Sequence, residues 1–357
     1  MFQKQTIRDI NLKNKTVLVR VDYNVPLKDG KVTSDLRIRA SLPTLKVLLE
    51  GEAKKIILIS HLGRPEGKKD KDLSLKPVAD SLKKLLPDNP IKFVDDVSGP
   101  DVENAAKQLK KGEILLLENL RFFAGEEKNS EDFIREIVDS VSADIFVQDG
   151  FAVVHRAHAS TSAIAKCLPV YAGLLLEKEV SSLKKVSEAP EKPLLLVLGG
   201  SKVADKQPLI DKFLSKADKI AIGGKIAADG FVSSEEKIYV AEDFDEDAEG
   251  NKLDIGPLSA GKISELALNS KTVIWNGVLG KVEDPAFSTS STILAKVLGE
   301  NSSVNSVICG GDTTGFVENL MEEFPNLKYT LVSTGGGAAL ELLCGKNLPG
   351  LEVIEDK

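Results

Sequence analysis

Arginine, histidine and other polar residues follow short apolar segments in the first half of the chain, where their side chains could bind an anion. The planar guanidinium group of arginine can hold two oxygens of a carboxylate or a phosphate at once. A single arginine of this kind is more often part of a surface ion pair, but surface pairs have no reason to gather at the ends of successive segments. The candidate residues are Asp22, Asn24, Arg37, His61, Arg64, Arg121 and Arg156. Their types and spacing indicate a site for a multiply charged anion.

In the second half of the chain, glycine takes the place that these cations have in the first half. Glycine lets backbone N–H groups approach a phosphate, and a helix that follows adds its positive N-terminal end. The glycine-containing loops are 199–200, 223–224, 276–277, 310–311 and 335–337. Lys202 and Lys206 are candidate cations for phosphates, and their spacing of four residues predicts that both lie on one helical face. Asp312 is a candidate metal ligand.

The apolar pattern predicts the scaffold that positions these loops. Short segments rich in Ile, Val and Leu alternate with stretches in which apolar residues recur every three to four positions. A repeated strand–helix order produces right-handed crossovers and a parallel sheet, whose ligands bind beyond the carboxyl ends of the strands. The predicted strands are 16–21, 55–59, 91–94, 114–117 and 145–147 in a first series, and 194–198, 219–222, 237–240, 272–275, 306–308 and 330–332 in a second.

These two series predict the fold class and the domain organisation. A chain of 357 residues fits two domains on length alone. We expect an α/β protein with two doubly wound, Rossmann-like parallel sheets, joined by a long helix at 173–186. The predicted domains are residues 1–172, with a C-terminal tail 346–357, and residues 173–345. The acidic stretch 233–256 is predicted to be a solvated loop.

Composition and charge exclude several classes of protein. No run of 18 or more apolar residues occurs, and residues 1–15 lack the apolar core of a signal peptide. The three cysteines are far apart in sequence and form no C-x-x-C pair, which predicts reduced thiols in the cytoplasm. A net charge of −7 argues against nucleic-acid binding. Residues 1–173 nevertheless carry 28 Lys and Arg against 25 Asp and Glu, whereas the remainder carries 19 against 29.

Two common nucleotide-binding motifs are missing. The sequence contains no G-x-x-x-x-G-K-[ST]; Gly280-Lys281 and Gly345-Lys346, for example, are followed by Val and Asn. No G-x-G-x-x-G follows the first predicted strand. The missing motifs therefore argue against a P-loop kinase and against an ordinary dinucleotide dehydrogenase.

Taken in order, the loop sequences resemble those of phosphoglycerate kinases over nearly the whole chain. The matching strings are RVDYNVP, SHLGRP, ENLRF, HRAHAS, GGSKVADK, WNGVLG, GGDTT and STGGGAALELL, followed by LPG. The resemblance implies reversible phosphoryl transfer between 1,3-bisphosphoglycerate and ADP, giving 3-phosphoglycerate and ATP in glycolysis and gluconeogenesis. It also implies Mg²⁺ bound with the nucleotide, and a cytoplasmic monomer that binds neither membrane nor nucleic acid.

The resemblance also assigns roles to the two domains, which would face each other across a cleft. Residues 1–172 and the tail would bind phosphoglycerate through Asp22, Asn24, Arg37, His61, Arg64, Arg121 and Arg156. Residues 173–345 would bind the nucleotide through Lys202, Lys206, Gly223, Gly224, Asn276, Gly277, Glu283, Gly311, Asp312, Thr313 and Gly335. The residues expected to act in the transfer itself are Arg37, Lys202, Lys206 and Gly336. Asp312 is the expected metal ligand.

The departures from the family pattern lie mainly on the nucleotide side. Residues 225–229 (KIAAD) replace the small residues that usually follow Gly223 and Gly224, and the stretch from there to Trp275 is shorter than in the family. Val278 replaces a usual proline, and residues 281–282 (Lys-Val) replace a usual Val-Phe pair. The sequence therefore predicts an altered adenine pocket.

Two alternatives to an active phosphoglycerate kinase stay open at this point. The first is a non-catalytic homologue that binds phosphoglycerate or nucleotide, and the second is a kinase for a different acid. The presence of Arg37, Lys202, Lys206 and Asp312 speaks against a pure binding protein, which need not keep residues of the transfer step. His155 and His158 could either join the charge network or orient their own loop.

Overall fold

The computed structural model describes residues 2–357, which form two compact units. Unit 1 comprises Met1–Val180 and Asn347–Lys357, and unit 2 comprises Ser181–Lys346. The sequence predicts the boundary after residue 172, somewhat earlier than this division.

The core of unit 1 is a six-stranded parallel sheet. Its strands and a short hairpin are β1 (Thr16–Arg20), β2 (Leu27–Lys28), β3 (Lys31–Val32), β4 (Lys55–Ile59), β5 (Ile91–Phe93), β6 (Ile114–Leu116), β7 (Ile145–Gln148) and β8 (Val170–Ala172). β2 and β3 form the hairpin, and the sheet order is β5-β6-β4-β1-β7-β8. β1, β6 and β7 are buried along their whole length, as expected of a parallel sheet covered on both faces.

The first six helices of the chain belong wholly or partly to unit 1. They are α1 (Leu36–Glu50), α2 (Lys76–Leu85), α3 (Pro100–Lys107), α4 (Ala124–Glu127), α5 (Glu131–Val141) and α6 (Leu174–Glu188). α5 shows how the sequence sets their limits: the Ser130 hydroxyl accepts a hydrogen bond from the Phe133 N–H at the start. At its end, Ser142 adopts the left-handed conformation that stops a helix. α6 begins in unit 1 and ends in unit 2.

Unit 2 contains a second six-stranded parallel sheet. Its strands and a second hairpin are β9 (Leu194–Leu198), β10 (Lys219–Ile222), β11 (Ile238–Val240), β12 (Phe244–Glu246), β13 (Lys252–Ile255), β14 (Thr272–Asn276), β15 (Asn305–Cys309) and β16 (Leu331–Val332). The sheet order is β11-β10-β9-β14-β15-β16. Numbered within the sheet this order is 3-2-1-4-5-6, the doubly wound arrangement in which ligands bind where the order reverses. That reversal lies between β9 and β14.

The remaining helices are α7 (Val203–Leu214), α8 (Gly224–Ala228), α9 (Pro257–Leu268), α10 (Thr289–Glu300), α11 (Gly311–Glu323), α12 (Gly336–Leu343) and α13 (Pro349–Glu352). α13 lies in the C-terminal segment that belongs to unit 1. The Gly350 N–H in this segment donates to the Val154 carbonyl at 2.9 Å. Together the two sheets confirm the predicted fold class of two doubly wound α/β domains.

The prediction of a solvated loop at 233–256 is wrong. The strand predicted at 237–240 is present as β11, whereas β12 and β13, which the sequence does not predict, pair there as an antiparallel hairpin. Asp243 accepts hydrogen bonds from the Leu258 and Ser259 N–H groups at 2.9 and 2.8 Å, and so caps α9 from a distance. The acidic composition therefore conceals a segment that is held by tertiary contacts.

In the part of the chain that the structure covers, residues 2–357, no helix combines the length and apolar character that a membrane span requires.

Candidate active site

The predicted anion-binding residues of unit 1 lie in loops at the carboxyl ends of the strands. Asp22 and Asn24 follow β1, His61 and Arg64 follow β4, Arg121 follows β6, and Arg156 follows β7. Arg37 lies in the first turn of α1. β1 pairs with β4 on one side and with β7 on the other, so the strand order reverses at this point of the sheet. A parallel sheet opens a ligand crevice at such a position.

Asp22 organises the loop after β1. Its buried carboxylate forms an ion pair with the Arg37 guanidinium through Oδ2 and accepts the Asn24 N–H through Oδ1 at 3.2 Å. The Asn24 side-chain oxygen in turn accepts the Gly63 N–H at 2.9 Å. These contacts hold the loops after β1 and β4 together and orient Arg37.

His61 is surrounded by arginines and is neutral. Burial lowers its pKa well below the ordinary value, and the charges of Arg20, Arg121, Arg37 and Arg156 lower the pKa further. The Nη2 atom of Arg20 lies 3.1 Å from Nδ1 of His61. Four guanidinium groups therefore lie close enough to His61 to act on its ionisation.

Arg121 is a buried cation that the protein satisfies only in part. Its Nη1 donates to the Gly63 carbonyl at 2.8 Å, and its Nε is 3.4 Å from a carboxylate oxygen of Glu127. Burial lowers the pKa of Arg121 to about 10, and the like charges of Arg20 and Arg156 contribute. An anion bound here would reduce both the desolvation penalty and the repulsion between the arginines.

Arg156 lies between the other two histidines of the chain. Its Nε donates to Nε2 of His155 at 3.2 Å, and the Thr161 hydroxyl donates to its carbonyl at 2.5 Å. Burial lowers the pKa of His158 to about 4, with further contributions from nearby arginines, so His158 is neutral. The histidines therefore contact the charge network and also order the loop that carries Arg156.

Arg64 is exposed, and its guanidinium forms no hydrogen bond or ion pair within residues 2–357. The preceding residue, Gly63, forms hydrogen bonds with Asn24 and Arg121. Arg64 therefore lies at the rim of the cluster that the anion-binding residues of unit 1 form.

Sequence reasoning missed a layer of residues beneath this cluster. Arg20 is fully buried, and its Nε donates to the Ser160 hydroxyl at 2.8 Å. That hydroxyl donates to the buried carboxylate of Glu126 at 2.6 Å. Arg20 and Ser160 stand in the strings RVDYNVP and HRAHAS, so their place in those strings is the only signal that could have revealed them.

The anion-binding residues do not coincide with the cavity of about 700 Å³ in unit 1. That cavity is lined by side chains of both charges, among them Lys69, Lys71, Asp95 and Glu118, with Phe93 beside them. An anion would meet carboxylates there, so the cavity does not match the predicted chemistry.

In unit 2, the loops after β9 and β14 pack backbone against backbone. Gly277 has φ +103°, which side chains rarely allow, and a Cβ on it would overlap the Gly199 carbonyl. The Gly199 N–H donates to the Asn276 carbonyl at 3.1 Å, and the Gly200 N–H donates to the Val278 carbonyl at 2.9 Å. These two N–H groups are therefore satisfied within the protein and are not free to bind a phosphate.

Gly223 and Gly224 pack beside the same loop. The Gly223 N–H donates to the Leu198 carbonyl at 2.8 Å. A Cβ on Gly224 would lie 2.7 Å from the Val278 carbonyl oxygen and 2.9 Å from the Gly200 nitrogen. Because glycine has no side chain, the loops after β9, β10 and β14 can converge at the switch point, where the strand order of the sheet reverses.

Lys206 and Asn276 meet at this switch point. The Lys206 ammonium contacts the side-chain oxygen of Asn276, whose amide nitrogen donates to the Cys309 sulfur at 3.3 Å. Burial lowers the pKa of Lys206, and the negative groups Asp205 and Asp312 act in the opposite direction. The structure therefore brings a desolvated ammonium group near the predicted metal ligand.

The N-termini of α11 and α12 adjoin one another. A Cβ on Gly336 would lie 2.8 Å from the Gly311 nitrogen. Asp312 is exposed in the first turn of α11, and the Thr313 hydroxyl accepts the Gly277 N–H at 2.8 Å. The first N–H groups of a helix have no acceptor within it, and the helix dipole makes this end positive. These two ends can therefore offer N–H groups to phosphate oxygens.

Lys202, Glu283 and Gly335 are further residues of unit 2 for which the sequence predicts a role. Lys202 precedes α7 with extended backbone angles, φ −121° and ψ 110°, so it does not share a helical face with Lys206 and that prediction is wrong. Glu283 is exposed in the loop after β14, and no hydrogen bond or ion pair within residues 2–357 joins it to Asn276. The Gly335 N–H donates to the Ser333 hydroxyl at 3.3 Å before α12 begins.

Residues 2–357 contain no group of three or more His, Cys, Asp or Glu side chains that could hold a metal ion. Asp312 is a single exposed carboxylate. Mg²⁺ keeps several waters and is commonly bound through one or two carboxylates together with substrate phosphates. The donor set thus fits a Mg²⁺ ion that arrives with a nucleotide, and does not fit a resident metal.

Comparison with known proteins identifies the family. The phosphoglycerate kinase family profile matches residues 7–240 and 227–346. The chain belongs to the phosphoglycerate kinase family. It is 39% identical to the phosphoglycerate kinase of Dictyoglomus turgidum over 98% of both chains, and 41% identical to that of Pseudothermotoga lettingae over 100% of both.

Solved structures agree with this assignment. The phosphoglycerate kinase of Pyrococcus horikoshii matches with a TM-score of 0.86 at 29% identity, and that of Coxiella burnetii with 0.76 at 34%. Each match covers 98% of both chains. The phosphoglycerate kinase family consists of glycolytic kinases, so this chain is an enzyme that transfers a phosphoryl group, and no observation favours a non-catalytic homologue.

The comparisons also locate the shortened segment of this phosphoglycerate kinase. The full-length alignment with the Pseudothermotoga lettingae protein is 407 positions long, 50 more than the 357 residues of this chain. The two segments of the family match overlap at 227–240, so the match is interrupted there. This interruption falls within the stretch that the sequence predicts to be shortened.

Proposed function

We propose that this phosphoglycerate kinase transfers a phosphoryl group reversibly between 1,3-bisphosphoglycerate and ADP, giving 3-phosphoglycerate and ATP. One observation carries the proposal: the guanidinium groups of Arg20, Arg37, Arg121 and Arg156 act together on the neutral His61 at the carboxyl edge of a parallel sheet. Four cations near one another, two of them buried and two half-buried, are unfavourable without a bound anion. A phosphorylated carboxylic acid supplies the charge that this cluster needs.

Unit 1 would bind the phosphoglycerate. Arg121 and Arg156, buried or half-buried, neutralise the fixed phosphate or carboxylate, and Arg64 adds charge from the rim. Asn24 ties the loops after β1 and β4 together. Arg37, which Asp22 orients, is the cation proposed to meet the phosphoryl group in transfer.

Unit 2 would bind the nucleotide at the reversal between β9 and β14. Lys206 would neutralise charge on the phosphates, with the exposed Lys202 as a second cation. The first turns of α11 and α12 would offer their free N–H groups, including those of Gly311 and Gly336. Glu283 would lie near the ribose.

Asp312 would hold the Mg²⁺ ion that accompanies the nucleotide, and Thr313 lies beside it. The bound ion would supply charge neutralisation at the phosphate oxygens. The half-buried Lys206 contributes positive charge in the same region.

The chemistry of the transfer explains why no general base is required. An oxygen of the terminal phosphate of ADP attacks the phosphorus of the acyl phosphate, and the bond from that phosphorus to the carboxyl oxygen breaks. The attacking oxygen is already anionic and the carboxylate leaves as an anion, so no proton has to move. The protein needs only to align the groups and neutralise the equatorial oxygens. Neutral His61 and His158 are compatible with this requirement.

We also propose that the enzyme acts as a cytoplasmic monomer, as the family resemblance implies. Sedimentation at several protein concentrations tests the oligomeric state, because a monomer keeps one sedimentation coefficient throughout.

A coupled assay tests the proposed reaction. Purified protein receives ADP and 1,3-bisphosphoglycerate, and ATP formation is followed with and without Mg²⁺. We expect Mg²⁺-dependent formation of ATP at a rate proportional to enzyme concentration. Binding of 3-phosphoglycerate without any ATP formation would instead support the non-catalytic homologue.

A further inference from the structure

Arg20 fixes which nitrogen of His61 carries the proton. Its Nη2 atom lies 3.1 Å from Nδ1 of His61, and both side chains are buried. A guanidinium group has only N–H donors and no acceptor. Nδ1 must therefore accept this hydrogen bond with its lone pair. In a neutral imidazole the proton then resides on Nε2.

The alternative partner of Nδ1 is too distant to compete. The nearest carboxylate oxygen, Oδ1 of Asp22, lies 3.8 Å from Nδ1. The other charges that act on His61 are those of Arg37, Arg121 and Arg156, and all of them oppose a second proton on the ring. No hydrogen bond within residues 2–357 engages Nε2 of His61.

Arg20 is itself held in a single position. Its Nε donates to the Ser160 hydroxyl at 2.8 Å, and its Nη1 donates to the Val21 carbonyl at 2.6 Å. Ser160 is anchored by the buried Glu126, which accepts its hydroxyl at 2.6 Å and its N–H at 3.0 Å. The buried guanidinium therefore cannot turn away from His61 without breaking several buried hydrogen bonds.

We propose that Arg20 is a positioning residue that holds His61 as the Nε2–H tautomer, so that a neutral N–H group donates to an oxygen of the bound phosphoglycerate. This proposal rests on the proposed function of unit 1. The Nε2–H group of His61 is then a donor whose strength does not change with pH over the range in which an ordinary histidine titrates, because the ring stays neutral throughout. The surrounding arginines then neutralise the charge of the substrate, while the directional hydrogen bond from His61 orients it.

Nuclear magnetic resonance of ¹⁵N-histidine-labelled enzyme reads the tautomer directly. The chain contains only three histidines, and a His61→Gln variant assigns the signals of His61. We expect the wild-type ring to show a protonated Nε2 and an unprotonated Nδ1 at every pH between about 5 and 8. A protonated Nδ1, or a ring that becomes doubly protonated within this range, would overturn the proposal.

A matched pair of substitutions tests the position of the donor. The side-chain amide of glutamine can place its nitrogen near the position of Nε2, whereas that of asparagine reaches only to the position of Nδ1. We expect His61→Gln to bind 3-phosphoglycerate on the order of tenfold more tightly than His61→Asn in calorimetry. Equal affinities, or tighter binding by His61→Asn, would contradict the assigned donor.

Substitution of Arg20 tests the positioning role. In Arg20→Met the Nδ1 atom loses its donor, and we expect His61 to acquire a measurable pKa and 3-phosphoglycerate affinity to become dependent on pH. Arg135→Met, in an exposed ion pair with Glu131 on α5, is the control and should change neither. A pH-independent tautomer identical to wild type in folded Arg20→Met would refute the role of Arg20. If that variant does not fold, the tautomer of the wild-type ring and the comparison of His61→Gln with His61→Asn still test the proposal.

The same measurements separate this inference from the proposed function. A wild-type enzyme that neither binds 3-phosphoglycerate nor forms ATP would refute the proposed function, whatever the tautomer. A wild-type enzyme that forms ATP but carries the proton on Nδ1 would refute only the inference.

Discussion

The buried carboxylate of Asp22 forms an ion pair with the guanidinium group of Arg37, which lies in the first turn of α1. Asp22 is nearly inaccessible, whereas about a quarter of the Arg37 side chain remains exposed (26%). The pair therefore fixes one side of the guanidinium and leaves another side open. Arg37 can meet an anion in a prearranged orientation.

Replacing Arg37 by alanine should lower kcat far more than it raises KM for 3-phosphoglycerate. A cation that engages mainly the group in transfer stabilises the transition state selectively. The loss should be ~2.7–4 kcal/mol in transition-state stabilisation, by analogy with the removal of one prearranged donor. Steady-state kinetics in both directions measure it.

Arg135→Ala is a matched control, because Arg135 takes part only in an exposed ion pair with Glu131 in unit 1. It should leave both constants unchanged. An unchanged kcat with a raised KM in Arg37→Ala would place Arg37 among the residues that merely bind the ground state.

Lys206→Ala should leave the fold intact and lower kcat by about a hundredfold. Its ammonium is partly desolvated beside Asn276, so its charge acts more strongly on a phosphate than that of an exposed lysine. Turnover at saturating nucleotide and circular dichroism measure the two effects.

Gln207→Ala on the same helix removes only an exposed hydrogen bond to Asp211 and should behave as wild type. If Lys206→Ala matches Gln207→Ala in turnover, Lys206 has a structural role alone.

The stability of unit 1 should depend on the ionisation of Asp149. This carboxylate is buried and accepts the Leu175 N–H at 3.0 Å near the start of α6; burial raises its pKa from 3.8 to about 7. Because the folded state holds the proton more tightly than the unfolded state, the contribution of Asp149 to stability is full below about pH 4 and is lost as the pH rises to about 7. The loss amounts to roughly 4 kcal/mol at most.

Denaturant unfolding of Asp149→Asn across this range measures the effect. The variant keeps an oxygen acceptor and cannot ionise, so it should become more stable than wild type near pH 8, and the advantage should shrink toward pH 4. Asp139→Asn, an exposed position on α5, should follow the wild-type profile. Parallel profiles for Asp149→Asn and wild type would show that Asp149 keeps an ordinary pKa.

The enzyme should use ATP and GTP with comparable efficiency. The family match is interrupted at 227–240, and within this stretch Val232 is 86% exposed. Lys281, on the loop that would line the adenine ring, is also exposed. A base would bury less apolar surface, and each Å² that stays in water forgoes ~25 cal/mol of binding free energy. Phosphate binding through Lys206 and the first turns of α11 and α12 does not depend on the base.

The measurement is kcat/KM for both nucleotides at saturating 3-phosphoglycerate. Strong discrimination requires a buried polar group that the wrong base leaves unpaired. A preference for ATP above roughly a hundredfold, ~2.7 kcal/mol in transition-state terms, would mean that other residues have rebuilt a specific pocket.

The sequence alone determined the two parallel sheets and the position of the cationic loops. Strands such as β4, β9 and β10 have the predicted bounds, because a strand buried on both faces is a short, nearly continuous apolar run that local composition reveals. Once strands alternate with helices, their carboxyl ends lie on one edge. The approach of Arg37, His61 and Arg121 to each other then follows from topology.

The hairpin of β12 and β13 could not be recognised in the same way. Its strands carry acidic residues and are held by antiparallel pairing and by the contacts of Asp243 with α9. Such partners are not encoded in the local periodicity. The extended conformation of Lys202 likewise follows from where α7 begins, which a spacing of four residues does not reveal.

Which hydrogen bonds the polar groups of the site form was decided only by tertiary structure. Arg20 follows the apolar residues Val17, Leu18 and Val19 in β1, and its charge is tolerated there because Ser160, 140 residues away in sequence, links it to Glu126. Likewise, the Gly200 N–H is taken by the Val278 carbonyl and is not left for a phosphate. A residue's type states which hydrogen bonds it can form, but which bonds form depends on groups distant in sequence that folding brings within about 3 Å.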